Sequence, residues 1–183
     1  MSDIHTQTMS ILLCKKCGLY KSADRKVVGQ YPAGICNIAF VGEAPGEQEN
    51  ISGKPFVGAS GQFLRAEIDK AGIMKFAILN AVKCHPPENR PPTDEEIRKC
   101  HIFLSRQLRT LRPKVIVLLG RSAFKAVMGY DCKVTEMAGK IRRVKSGARV
   151  VVLPHPAAIL RNRPAYIQLW NTGIELIKRL VKS

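Results

Sequence analysis

Ile38-Ala39-Phe40-Val41-Gly42-Glu43-Ala44-Pro45-Gly46 is the stretch on which the fold turns. Four apolar residues in a row, stopped by glycine, read as a strand buried on both faces. The Gly-Glu-Ala-Pro-Gly that follows has no helical period and is rich in turn formers, so it reads as a loop built to approach a ligand closely. Three further runs share the strand signature: Phe76 to Leu79, Val115 to Leu119 and Val150 to Leu153.

Helical patterns separate these runs. Gln62 to Ala71 puts Leu64, Ile68 and Ala71 on one face and stops at Gly72. Thr93 and Glu96 form a capping-box signature ahead of a stripe made by Ile97, Cys100, Leu104, Leu108 and Leu111. Ser122 to Met128 suits a short helix, and Pro164 opens a last one with Ile167, Trp170, Ile174, Ile177 and Val181 facing inward. Strands alternating with helices imply right-handed crossovers and a covered parallel sheet. The expected fold is a three-layer α/β/α domain with a central four-stranded parallel sheet, residues 1–183 forming a single domain. Glu43 to Ser60 is expected to be irregular, and connections of that length in a compact domain are usually functional.

Composition narrows the partner. Thirty Lys and Arg against fourteen Asp and Glu leave a formal charge of +16. That surplus favours a polyanion, and nucleic acid over a membrane surface, because no long basic amphipathic helix or lipidation motif accompanies it. No apolar run approaches a membrane span, and Met1 to Ser10 lacks a signal-peptide pattern. An intracellular, cytoplasmic protein is expected, at the nucleoid if the source is prokaryotic, acting as a monomer. Thiols stay reduced there, which favours ligation over disulfides for Cys14 and Cys17 (C-x2-C) and Cys84 and Cys100 (C-x15-C). On ligand softness alone four thiolates suit zinc and an iron–sulfur cluster equally. Cys36 and Cys132 fall outside the pattern and read as inert thiols.

Ligands of open parallel sheets bind at the carboxyl ends of the strands. Gly42-Glu43, Asn80, Gly120-Arg121 and Pro154-His155 all fall there. A carboxylate, an amide and an imidazole are thus expected around one crevice.

Gly42-Glu43-Ala44-Pro45-Gly46-Glu47-Gln48-Glu49, Gly53-Lys54-Pro55-Phe56-Val57-Gly58, Asn80-Ala81-Val82-Lys83-Cys84, Pro86-Pro87 with Asn89-Arg90, and His155-Pro156-Ala157 with Leu160-Arg161 appear in that order. With the four cysteines they closely resemble the family 4 uracil-DNA glycosylases, the iron–sulfur-containing branch of that superfamily. The resemblance runs from about Cys14 to the last helix. It implies a monofunctional DNA glycosylase that flips uracil out of DNA and hydrolyses its N-glycosidic bond, leaving an abasic site for base excision repair.

The resemblance also implies roles. Asn80 matches the base-reading amide and Phe56 the stacking aromatic, with Gly42 and Ala44 beside the base. His155 matches the group that bonds uracil O2 as charge builds there, and Glu43 the carboxylate that positions water or stabilises the sugar cation. Glu49 resembles the residue that crowds the uracil C5 edge and excludes thymine. Ala157 to Arg161 resembles the wedge loop, with Leu160 or Ile159 as the apolar tip and Arg161 on phosphate. For Cys14, Cys17, Cys84 and Cys100 the resemblance implies a [4Fe–4S] cluster. Relatives that trap uracil-DNA covalently carry a His in a short basic insertion after the Asn80 motif, whereas here Cys84-His85-Pro86-Pro87 runs straight on. A relative with broader deaminated-base specificity, or a catalytically silent nucleic-acid binder with a structural metal or cluster site, are the remaining alternatives.

Overall fold

A computed structural model of the chain describes residues 4–182. Its strands are β1 (Ile38–Gly42), β2 (Phe76–Asn80), β3 (Val115–Leu119), β4 (Ile141–Arg143) and β5 (Arg149–Leu153). The helices are α1 (Ile4–Leu12), α2 (Glu47–Ser52), α3 (Ala59–Lys70), α4 (Asp94–Leu111), α5 (Arg121–Met128), α6 (Val134–Met137), α7 (Pro156–Arg161) and α8 (Arg163–Lys182). The sheet order is β2-β1-β3-β5-β4. The four expected strands pair in parallel, in the register Phe40↔Ile78, Phe40↔Val117 and Val117↔Val151.

The sheet has five strands rather than the expected four, because β4 pairs antiparallel with β5 at one edge. All three of its residues, Ile141, Arg142 and Arg143, are exposed. An edge strand with no buried face carries no apolar run, and its arginines discourage further edge pairing.

The period-two alternation of the buried strands builds two cores. Ala39, Val41, Leu79, Ile116, Leu118 and Val152 face α1, α4 and α5. Ile38, Phe40, Ile78, Val117, Val151 and Leu153 face α3, α7 and α8, with Trp170 fully buried among them. The Thr93 capping box forms as expected: Glu96 N donates to Thr93 Oγ1 at 3.2 Å, and Thr93 N to Glu96 Oε2 at 2.7 Å. Among the described residues no helix is long and apolar enough to cross a membrane.

Two segments expected to be irregular hold short helices. α2 sits inside the Glu43–Ser60 connection, and α7 follows His155 directly. Pro156 at the first helical position presets φ for α7, and the His155 side chain caps it. Chain order reverses direction between β1 and β3, so the crevice at their carboxyl ends is the topological switch point.

Candidate active site

A cleft of about 500 Å³ opens at that switch point, within the usual size of a small-ligand pocket. Glu43, Ala44, Glu49, Phe56, Asn80, His155 and Arg161 all line it. The residues expected at the ends of separate strands therefore converge on one site.

Asn80 closes β2 and is only 2 % exposed, yet its Oδ1 has no hydrogen-bond partner. A buried unpaired carbonyl is costly, so this atom is set to receive a donor from a ligand. Gly42, opposite it in the ladder, supplies the room: a Cβ there would lie 2.5 Å from Asn80 Oδ1 and 2.5 Å from Phe56 Cζ. Phe56 takes a left-handed backbone (φ 53), unusual for an aromatic residue, and several partners hold it there. Glu49 Oε1 accepts from Val57 N at 2.7 Å and Gly58 N at 2.8 Å, while Oε2 accepts from Gly46 N at 3.0 Å. Arg65 Nε donates to the Phe56 carbonyl at 2.9 Å, and its Nη2 reaches Pro55 O and Gln30 Oε1. Glu49 is thus on the pocket wall with both oxygens engaged by backbone.

His155 sits with its ring centroid 6.1 Å from that of Phe56. Ala157 N donates to His155 Nδ1 at 3.2 Å, which makes Nδ1 an acceptor and leaves the proton of the neutral ring on Nε2. Burial lowers the His155 pKa below its ordinary value, against the opposing pull of Glu43. Burial and the Ala157 contact together favour a neutral imidazole with one N–H to offer. Glu43 Oε2 accepts a short hydrogen bond from Ser122 Oγ on α5, so β1 and α5 together aim the carboxylate.

Two expectations for the wedge separate. Ile159 is fully buried in the α3/α8 core and cannot be the tip, because α7 turns that side inward. Leu160 is 50 % exposed and Arg161 is exposed on the cleft rim.

The cysteines gather elsewhere. Cys14, Cys17, Cys84 and Cys100 line one small apolar cavity with Lys16, Lys26, Lys83 and Lys99 around it. As free thiols three of them are disfavoured as anions: burial, then Cys100, pushes Cys84 up to about 12, burial pushes Cys100 up to about 11 against the pull of Lys83, and burial also raises Cys17. A bound cation would reverse that penalty, and four soft donors ringed by lysines suit an anionic thiolate-bound group. Among the described residues no three His, Cys, Asp or Glu side chains are already drawn together as around a single ion. Cys36 is buried and its Sγ–H meets the Ile38 carbonyl at 3.2 Å, apart from this cavity.

Comparison with known proteins bears directly on this geometry. The profile of the Uracil DNA glycosylase superfamily matches residues 28–174. The type-4 uracil-DNA glycosylase of Archaeoglobus fulgidus is 39 % identical over 191 residues, spanning 98 % of this chain and 94 % of that protein. The chain belongs to the type-4 uracil-DNA glycosylases. The type-4 enzymes of Sulfurisphaera tokodaii (41 % identical; 88 % of this chain, 78 % of that protein) and Thermotoga maritima (39 %; 93 % and 90 %) are also similar.

Ser122, Arg65 and His85 carried no sequence signal for this glycosylase-family site. Each acts through a contact distant in sequence, such as His85 Nδ1, which donates to the Pro45 carbonyl at 2.9 Å and ties the segment after Cys84 to the Gly-Glu-Ala-Pro-Gly turn. A polar residue whose partner lies outside its own helix or strand, from 9 positions away for Arg65 and Phe56 to 79 for Ser122 and Glu43, leaves no local pattern to read.

Proposed function

We propose that this protein removes uracil from DNA by flipping the nucleotide into the Glu43–Asn80–His155 cleft and hydrolysing its N-glycosidic bond. The observation that carries this reading is the unpartnered, buried Oδ1 of Asn80. Uracil offers a donor at N3 beside an acceptor at O4. The Asn80 amide answers both, Oδ1 accepting from N3–H and Nδ2 donating to O4. Cytosine offers the reverse pattern and would leave buried groups unpaired, worth on the order of 10⁴-fold in discrimination. Phe56 would stack on the base. Glu49, by fixing the Gly46 and Val57–Gly58 backbone, would set the wall that meets the uracil C5 edge.

Bond cleavage develops positive charge on the sugar and negative charge on the departing base. The Nε2–H of neutral His155 would donate to uracil O2 as that charge grows, a pre-oriented donor in a desolvated site. Glu43, held by Ser122, would stabilise the sugar cation or orient the attacking water. Leu160 would fill the space left in the stack while Arg161 and the basic surface engage phosphates. Cys14, Cys17, Cys84 and Cys100 would hold a [4Fe–4S] cluster, which when bound cross-links the N-terminal segment, the segment after β2 and α4 without touching the base.

The test is release of uracil from a single-uracil oligonucleotide, read as alkali-labile abasic sites. Cleavage of uracil but not cytosine strands is expected, with iron rather than zinc in the purified protein. No cleavage of single- or double-stranded substrate by metal-replete protein would sink the proposal and favour a silent DNA binder.

A further inference from the structure

Positive charge is unevenly placed along this chain. Eight Lys or Arg and no acid lie between Glu96 and Asp131, and seven with no acid lie between Glu136 and Glu175. Beside the cleft, cations meet carboxylates: Arg90 pairs with Glu96, Arg121 with Asp131, and Lys125, one turn along α5, with Asp94. At the other end of α4 the pattern changes. Arg106 and Arg109 are exposed and take part in no ion pair among the described residues.

These two arginines line a cavity of about 770 Å³, larger than the cleft. Half-buried Leu108 and buried Pro113 give it apolar surface, and no carboxylate lines it among the described residues. Separate elements build it. α4 contributes its last turn, Gln7 of α1 donates to Thr110 at 2.6 Å on one side, and the turn between β4 and β5 brings Ser146. Exposed Lys114 and Lys145 adjoin Pro113 and Ser146 in the chain. The dipole of α4 favours cations in its last turn, but it asks for no cavity and for no cations from the neighbouring turns.

Position and sign decide the ligand. β3 and β5 begin beside this cavity and end at the cleft, so it lies at the amino ends of the sheet. The 18 residues of α4 span about 27 Å between the two sites. DNA is stiff over about 150 base pairs, so a duplex across the mouth of the cleft cannot bend round to the far end of that helix. Protein partners carry both signs of charge and are met by both, whereas this surface offers one sign only.

We propose that this cavity is a second nucleic-acid-binding site, which takes the phosphodiester backbone of a DNA segment other than the one in the cleft. The proposal rests on the reading of this chain as an enzyme acting on DNA. Arg106 and Arg109 supply the phosphate contacts, Ser146 a hydroxyl donor, and Leu108 and Pro113 apolar ground for a sugar. One protein molecule then bridges two segments and passes between them without leaving both.

Bridging is measured at about 50 mM salt, where phosphate contacts are strong. Uracil-free duplex is fixed to beads, protein and a labelled second duplex are added, and sedimentation of the same mixture in solution counts the protein copies in the complex. Wild type is expected to retain the labelled duplex, with one protein per pair of duplexes. Arg106→Glu with Arg109→Glu should cut retention about tenfold or more, while single-turnover uracil release from a short single strand stays within about threefold of wild type. Arg106→Ser with Arg109→Ser removes the charge without reversing it, and carries the test if the first variant does not fold. Wild-type retention in a folded variant overturns the proposal, as do two protein copies in the bridged complex or a parallel loss of uracil release. Wild type that releases uracil yet bridges no DNA also overturns it, and leaves the surface to an acidic protein. Wild type that releases no uracil overturns the underlying reading instead.

Discussion

Gly42→Ala adds a single methyl group at the centre of the proposed pocket. Gly42 ends β1, and its φ is not in the left-handed region, so the penalty is one of space and not of backbone conformation. The new Cβ would lie 2.5 Å from Asn80 Oδ1, 2.5 Å from Phe56 Cζ and 2.7 Å from Phe56 Cε2, where ordinary contact begins at 3.4 Å. Each neighbour must retreat by about 0.9 Å. Neither can do so without leaving its place on the cleft wall. Asn80 is fixed by its pairing with β1 and is fully enclosed. Phe56 has Gly61 of α3 pressed against its backbone, so closely that a Cβ on Gly61 would come within 2.1 Å of the Phe56 carbonyl carbon.

A displacement of that size in a positioning group costs on the order of 10²-fold in rate, while overpacking costs about 1–3 kcal/mol of stability. For a chain of this length that lowers Tm by roughly 2–12 °C. Single-turnover uracil release should therefore slow by about 100-fold at temperatures where the variant is fully folded. The Kd for uracil-containing DNA should stay near wild type, because the atoms the new Cβ meets belong to Asn80 and Phe56 and not to the basic side chains proposed to engage phosphates. Single-turnover rates within about threefold of wild type would refute the reasoning, since Asn80 and Phe56 could not then both border the reading site.

Asn80→Asp should lower kcat/KM for uracil by roughly 10³-fold and bring cytosine excision above background, because a protonated carboxyl group presents the reversed donor–acceptor pattern. Wild-type uracil rates in that variant would remove Asn80 from the pocket. The pH profile of kcat should be flat through neutrality and fall on an acid limb centred below 6.5, since burial lowers the His155 pKa and protonation costs Ala157 N its acceptor. The same group contributes folding stability in full above about 6.5, lost as pH falls toward its folded-state value. A midpoint above 6.5, or a limb unchanged in His155→Ala, would show that Glu43 outweighs burial or that another group titrates. Leu160→Ala should slow excision from duplex DNA about tenfold more than from single strands, where no stack needs filling. Equal losses on both substrates would deny Leu160 the wedge role.

The four parallel strands were legible because burial on both faces demands unbroken apolar runs, which few other structures produce. β4 was not, since three exposed residues, two of them arginine, carry no pattern. α2 and α7 hid for a different reason. Each is six residues long and begins beside glycine or proline, so the helical period has no room to repeat. Glu43, Asn80 and His155 could be gathered from sequence because strand ends in a parallel sheet share one edge, whatever the intervening distance. What sequence could not supply was the supporting layer, in which Ser122 aims Glu43, Arg65 and Glu49 hold Phe56 in a left-handed conformation, and Ala157 N fixes the His155 tautomer.

That layer also explains why Ile159 and Leu160, adjacent and chemically alike, divide. A short helix capped by His155 rotates successive side chains by about 100°, so one enters the core and the next faces solvent. The imidazole that caps α7 through Nδ1 is the same one whose Nε2 would face the base. Orientation of the wedge and tautomer of the reacting group are therefore set by one hydrogen bond. Any change that unseats α7 should disturb base flipping and bond cleavage together.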